Sequence, residues 1–175
     1  MDENLLIEIN GLSDGSISRH WSLGKEFFAL FGNGDIRDGK VEADAKLTRS
    51  SGKISVDLRL RGSVTVLCDR CLSPLQVPVK EEIPIVVKFG EAPSGEGSDN
   101  LDDDVEEVFL PEEAGALDLG QIAYDYVCLA IPLRRVHPKG GCDESVAMYI
   151  ADEAASAPVS ESPFAGLKDL LDAKK

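Results

Sequence analysis

Four cysteines (Cys68, Cys71, Cys128, Cys142) and two histidines (His20, His137) are the residues of this 175-residue chain best suited to metal or thiol chemistry. Cys68-Asp69-Arg70-Cys71 sets two thiols one tight turn apart. Such a pair can share one ion at tetrahedral angles while backbone N–H groups of the turn donate to the sulfurs. A closed tetrahedral site needs two more ligands. His137-Pro138-Lys139-Gly140-Gly141-Cys142 offers a His and a Cys in a segment rich in turn residues. The expected set is Cys68, Cys71, His137 and Cys142 around one structural Zn2+, pinning the pair to a segment about 65 residues downstream. Two other readings stay open, four unconnected thiols and a redox pair. A redox Cys-x2-Cys ordinarily opens a helix in a βαβ unit, whereas strand patterns flank this one. Cys128, between Val127 and Leu129, reads as a small apolar residue of a helix. His20, beside Trp21, reads as a surface or packing histidine.

Little else in the chain resembles catalytic machinery. Gly32-Asn33-Gly34 lacks the lysine and the strand–helix setting of a phosphate loop. No serine or cysteine stands in a nucleophile elbow. The four-ligand set is closed, while a catalytic zinc keeps a position open. The expectation is a protein that is not an enzyme. Basic side chains do gather around the cysteines in sequence. Arg59 and Arg61 share one strand face, Arg70 lies inside the pair, and Arg134, Arg135 and Lys139 flank His137. If the loops meet, these charges form one patch, the kind of footprint that positions phosphates, with the five arginines as the candidate RNA- or partner-binding residues.

Positioning these residues falls to a set of strands. Leu5 to Ile9 is a short first strand, and Phe27 to Phe31 is apolar enough for one buried helical turn. Gly32-Asn33-Gly34 and Asp38-Gly39 read as turns. Val41, Ala43, Ala45 and Leu47 alternate with polar residues, Ser50-Ser51-Gly52 turns the chain, and Ile54 to Cys68 alternate again. Gly62 interrupts that long run at the natural place for a bend or bulge. Leu75 to Phe89 alternate as a third strand, with Pro78 and Pro84 marking it as an edge. Asp118 with Gln121 looks like a helix cap, Ile122, Tyr126 and Leu129 follow at helical spacing, and Pro132 ends the helix. A second short helix is expected over 144–150. The fold class expected is α+β: a bent antiparallel β-sheet, partly barrel-like, with a helical C-terminal half packed on it. Residues 1–150 form a single domain with an acidic flexible insert at about 91–113. Residues 151–175 form a linker and a short C-terminal helix opened by Ser162-Pro163.

Net charge at first excludes nucleic acid. Lys and Arg number 18 against 32 acids, a balance of −14. Eleven of those acids lie in residues 91–118, which hold no Lys or Arg. The rest sets 18 cations against 21 acids, and residues 40–88 carry nine cations and six acids. Indiscriminate coating of nucleic acid or of an anionic membrane is excluded, but a local RNA contact is not. Apolar residues make up 43% of the chain, too many for a disordered one. No apolar run approaches the roughly 20 residues that span a bilayer. The acidic start Met1-Asp2-Glu3-Asn4 is unlike a signal peptide. The cytoplasm is the expected compartment, where thiols stay reduced.

The ordered combination of motifs resembles the YceD family, the large ribosomal RNA subunit accumulation proteins. Leu60-Arg61-Gly62-Ser63-Val64 leads into Cys68-Asp69-Arg70-Cys71; Leu129-Ala130-Ile131-Pro132-Leu133 runs through Val136-His137 to Cys142. The tail Ser162-Pro163-Phe164-Ala165-Gly166-Leu167 is similar to the family's Asn-Pro-Phe-Ala-x-Leu ending. Where many relatives carry a second close Cys pair, this chain has His137 and Cys142. The resemblance implies a cytoplasmic factor supporting accumulation of the large-subunit (23S) ribosomal RNA, with ribosomal RNA or a ribosomal protein as partner. The alternatives are an interaction module whose acidic segment binds a basic partner, and a thiol-redox protein.

Overall fold

The computed structural model describes residues 5–10, 13–32, 34–90 and 105–146. Its elements in chain order are β1 (Leu6–Glu8), β2 (Gly15–Leu23), α1 (Lys25–Leu30), β3 (Asp38–Ser50) and β4 (Lys53–Leu67). Then come β5 (Pro74–Phe89), β6 (Glu106–Leu110), β7 (Ala116–Asp118) and α2 (Gly120–Ala130). The period-two runs become a meander. β2, β3, β4 and β5 pair antiparallel in sequence order, and β6 adds a parallel partner to the far end of β5. β1 and β7 form a separate antiparallel pair.

Alternation decides which face is wet. Val41, Ala43, Ala45 and Leu47 of β3 are buried, as are Ile54, Val56, Leu58, Leu60, Val64 and Val66 of β4 and Val77, Val79, Ile83, Ile85 and Val87 of β5. The opposite face carries the charges. There His20 sits exposed between Asp44 (Nδ1–Oδ1, 2.8 Å) and Glu42 (Nε2–Oε2, 3.2 Å), a surface histidine as its sequence context suggests. The apolar face is covered by α1, α2 and the β1–β7 pair, whose Phe28, Leu5, Ile7, Leu117, Leu119 and Val127 join the same core. Scarce aromatics are concentrated at one point: Phe27 meets Phe28 and Phe31 edge-on at 5.2 Å, and Phe31 stacks on Tyr124 at 3.9 Å.

Several expectations need correction. The sheet is open, not barrel-like, since its strand order is linear and β2 and β6 remain its edges. The C-terminal half is not helical. Among the described residues it holds β6, β7, the eleven-residue α2 and a single helical turn at 144–146. The class is therefore mainly β with two short helices, not a sheet under a helical half. The sequence misled because Glu106–Leu110 sits in the acid-rich stretch, yet Val108 and Leu110 pack on the core and the backbone pairs with Ile85–Phe89. Glu107 also takes a salt bridge from Lys88. Pairing with β6 makes β5 an edge only over Pro74–Pro84, which is where both prolines lie.

Asp38-Gly39 opens β3 instead of turning, because a β carbon at Gly39 would collide with the Phe28 ring. The Ser51-Gly52 turn stands as read, with both residues at positive φ (52° and 80°), as a two-residue hairpin loop requires. α2 begins where Asp118 accepts the Gly120 N–H at 2.8 Å, but it buries Gly120, Ala123, Tyr124 and Val127 and leaves Leu129 exposed. Cys128 is half-buried against the core. The remainder of the helix expected over 144–150, the segment 91–104, the linker at 151–161 and the closing helix lie outside the described residues.

Gly62 produces no bulge. The β3–β4 and β4–β5 registers run through it without a slipped residue. Its role is close approach: a β carbon there would collide with the Lys40 carbonyl oxygen and the Val41 Cα. Gly62→Ala is expected to destabilise the fold by about 3 kcal/mol, the upper end of ordinary single substitutions, seen as a lower midpoint in chemical denaturation. A loss under about 0.5 kcal/mol would mean that the two strands part freely.

Candidate metal centre

β4 and β5 run antiparallel for their whole lengths, so the residues joining them form a tip at the end of the sheet. Cys68 and Cys71 occupy it. The turn is closed by the Cys68 N–H donating to Ser73 O (3.0 Å) and the Leu72 N–H donating to Cys68 O (2.9 Å). Closing so tightly puts Leu72 at φ 57°, a conformation that costs a non-glycine residue about 1–2 kcal/mol.

The second pair of ligands arrives from the loop after α2. That loop is fastened to the tip by a reciprocal clasp. The Asp69 N–H donates to Arg135 O (2.7 Å), and the Asp69 carboxylate accepts the Arg135 N–H (2.7 Å) and Nε (3.2 Å). The Arg135 guanidinium also reaches Asp35 at 3.2 Å. Two residues later His137 turns inward. Its Nε2 donates to the Pro74 carbonyl (3.1 Å), which can only accept, so in the neutral ring Nδ1 carries the lone pair. That Nδ1 lies 3.4 Å from Cys71 Sγ. The Gly141 N–H donates to Pro138 O (2.9 Å) and Gly140 takes φ 84°, which turns the chain so that Cys142 returns to the cluster.

The ligand atoms of Cys68, Cys71, His137 and Cys142 all lie within 4.8 Å of one another. A tetrahedral zinc with Zn–S near 2.3 Å wants sulfurs about 3.8 Å apart, so the set fits after closing by about 1 Å. The donor chemistry fits too. Burial pushes the Cys68 thiol up, but backbone N–H groups of Cys71, Arg70 and His137 outweigh it and bring it from 9.0 to about 6. The backbone N–H groups of Asp143 and Ser73 hold Cys71 below its ordinary value. The Pro74 carbonyl, followed by Cys68 and Cys71, raises His137. Burial, then the two neighbouring thiols, raises Cys142. Fixed dipoles thus stabilise anionic sulfur before any cation is present.

The loops meet, but the five arginines do not form one patch. Arg59 and Arg61 lie on the wet face of β4 and both reach Glu82 (3.7 and 3.5 Å). Nine residues of strand separate Arg59 from Cys68, about 30 Å at the rise of a strand. Arg70 and Arg134 are exposed near the cysteines, and Arg135 is committed to Asp35 and Asp69. Sequence reasoning missed the roles of Asp35, Asp69 and the Pro74 carbonyl. Asp69 stood in plain view inside the Cys pair, but nothing in its spacing announced Arg135 as its partner.

The tip of the β-meander gathers three cysteines and a histidine from two segments distant in sequence, and one family model covers both segments. The family model for the large ribosomal RNA subunit accumulation protein YceD matches residues 56–171, from within β4 to beyond the ligand loop. The chain belongs to the YceD family. Its description implies a role in accumulation of the large-subunit ribosomal RNA. No individual curated protein and no solved structure matches significantly. No helix of the described residues is long and apolar enough to cross a membrane.

The Cys68 environment gives a pH test. A thiol ionising lower in the folded than in the unfolded state adds stability that is complete above its ordinary value of 9.0 and lost as pH falls through about 6. Metal-free, reduced protein should show a step of thiolate absorbance near pH 6 whose amplitude Cys68→Ser reduces, leaving the contribution of Cys71. Absence of any step below about pH 8 would place the thiol at its ordinary value.

Proposed function

We propose that this chain is a non-enzymatic ribosome-biogenesis factor of the cytoplasm that supports accumulation and processing of 23S ribosomal RNA by binding that RNA or a ribosomal protein. The observation that carries the reading is that the family match spans both halves of the cysteine cluster. Residues 132–146 contain no fully buried side chain and five half-buried ones, so burial holds this loop on the tip only weakly. Cys68, Cys71, His137 and Cys142 would hold one structural Zn2+, and the ion would supply the cross-link that apolar packing does not. Exposed basic residues near the fastened loop, Arg70 and Arg134, then offer a fixed contact surface, apart from Arg59 and Arg61, which face Glu82 on the sheet, and from Arg135, which is the clasp.

A second reading is favoured by one observation, the depressed Cys68 thiol beside Cys71. It makes the protein a thiol-redox factor, and mass spectrometry separates the two. Protein purified under reducing conditions should carry about one zinc per chain. Chelation should cost about 2 kcal/mol or more, a fall of roughly 4–8 °C in the thermal midpoint for a chain of this size. A metal-free mass and no shift on chelation would remove the zinc centre, and a reversible loss of two hydrogens from such protein would favour redox chemistry.

In cells lacking the protein, mature 23S RNA should fall relative to 16S RNA. The wild-type chain should restore it, and Cys71→Ser with Cys142→Ser should not. Unchanged 23S levels in the deletion would overturn the assignment.

A further inference from the structure

Sorting the cations by what they already touch divides the surface in two. On the sheet face Arg59 and Arg61 face Glu82, and Lys88 pairs with Glu107. At the metal end three acids have partners, while Glu144 is exposed without one among the described residues. Asp35 and Asp69 are held by Arg135, and Asp143 accepts the N–H and hydroxyl of Ser145 (2.9 and 2.7 Å). Four cations at that end are exposed and make no ion pair with any described residue: Arg37, Arg70, Arg134 and Lys139.

Backbone contacts tie all four to one place. The Arg37 N–H donates to Thr65 O (2.8 Å), three residues before Cys68. Arg70 lies in the turn between the cysteines, and its own N–H donates to Cys68. Arg134 precedes the residue clasped to Asp69, and Lys139 follows His137 by two. Their side chains are free, while their backbones are held by the sheet end and the ligand loops. Arg19, Lys25, Lys40, Lys46, Lys53 and Lys80 are likewise exposed without an ion pair to any described residue, but they are spread over β2, α1, β3, β4 and β5. The ligand loops and the sheet end gather the other four at one tip, where several cations can face one anion.

We infer that the metal end is a phosphate-binding site for the RNA backbone, formed by Arg37, Arg70, Arg134 and Lys139, with Arg59, Arg61 and Arg135 outside it. This rests on the ribosomal RNA reading above and names the atoms that would make the contact. The chemistry is charge-assisted hydrogen bonding to phosphate oxygens, which positions an RNA without reading its bases. A protein partner would use the same end differently, through exposed Leu72 and Leu133 (70% and 105% exposed).

The test uses the full, zinc-loaded chain and a fluorescently labelled RNA hairpin. Four phosphate contacts predict a plot of log affinity against log salt with a slope of about −3. Arg70→Glu and Arg134→Glu should each weaken binding at least about fivefold and flatten the slope by about 1. Arg59→Glu should leave both unchanged. Thermal melts and zinc content verify that each variant is folded. A flat salt plot, or an equal loss in Arg59→Glu, would overturn the site. So would silent charge reversals together with loss of a ribosomal-protein complex in Leu72→Ser/Leu133→Ser. In cells, an Arg70→Glu/Arg134→Glu double variant that cannot bind the hairpin yet restores 23S levels sinks this site and leaves the factor reading intact. A wild-type chain that restores nothing sinks that reading instead.

Discussion

Everything at the functional end depends on the unbroken pairing of β4 with β5. Fourteen residue pairs run from Ile54 opposite Val87 to Leu67 opposite Pro74 without a slip. A shift by one residue would turn Val64, Val66 and Cys68 to the wet face and send the charges inward. The same parity that buries Leu58 and Leu60 therefore also aims Cys68. Gly62 guards this register from the other side, since only a residue without a β carbon lets β3 lie this close. Cys68, the first of the four candidate ligands, is thus aimed by the apolar core.

Sequence made some of this legible and hid the rest for identifiable reasons. Period-two alternation exposed β3, β4 and β5 because each has one wet face, and Ser51-Gly52 could only be a tight turn. Chemistry exposed the four ligands, since a Cys-x2-Cys at a hairpin tip lacks only two partners. What stayed hidden depends on contacts between distant segments. β6 is five residues of mixed acid and apolar character, and nothing local distinguishes it from the loop around it until β5 offers a ladder. The helix face was legible only in part. Ile122 and Tyr126 pack against the core as their spacing suggests, but Leu129 is exposed and Tyr124, stacked on Phe31, is buried. Asp69 with Arg135 is a pairing across the fold that no spacing encodes.

Charge shows the same divide between local and distant information. The total of −14 argues against an RNA partner, and its distribution along the chain softens the argument. Geometry then removes most of the arginines that the softer argument would use. Arg59 and Arg61 satisfy Glu82, and Arg135 satisfies two aspartates. A positive residue matters to an anion only in proportion to the charge its neighbours leave uncancelled. By that measure the relevant cations include Arg37, which linear clustering around the cysteines does not single out.

The loop after α2 is where the proposed metal would matter most. From Pro132 to Val146 no side chain is fully buried and five are half-buried, so the hydrophobic effect holds it only weakly. The ion pair of Arg135 with Asp35 and hydrogen bonds to Asp69, Pro74 and the sulfurs are what remain, and each such bond is worth about 1 kcal/mol net in competition with water. Ordering a residue costs about as much. A loop held on those terms alone would open readily. One ion bound by two ligands from the tip and two from the loop changes the balance, because its binding free energy is available only when both segments are in place. On this view the cluster converts a weakly docked loop into a rigid surface, and the unpaired arginines gain a fixed spacing that neither segment could give them alone.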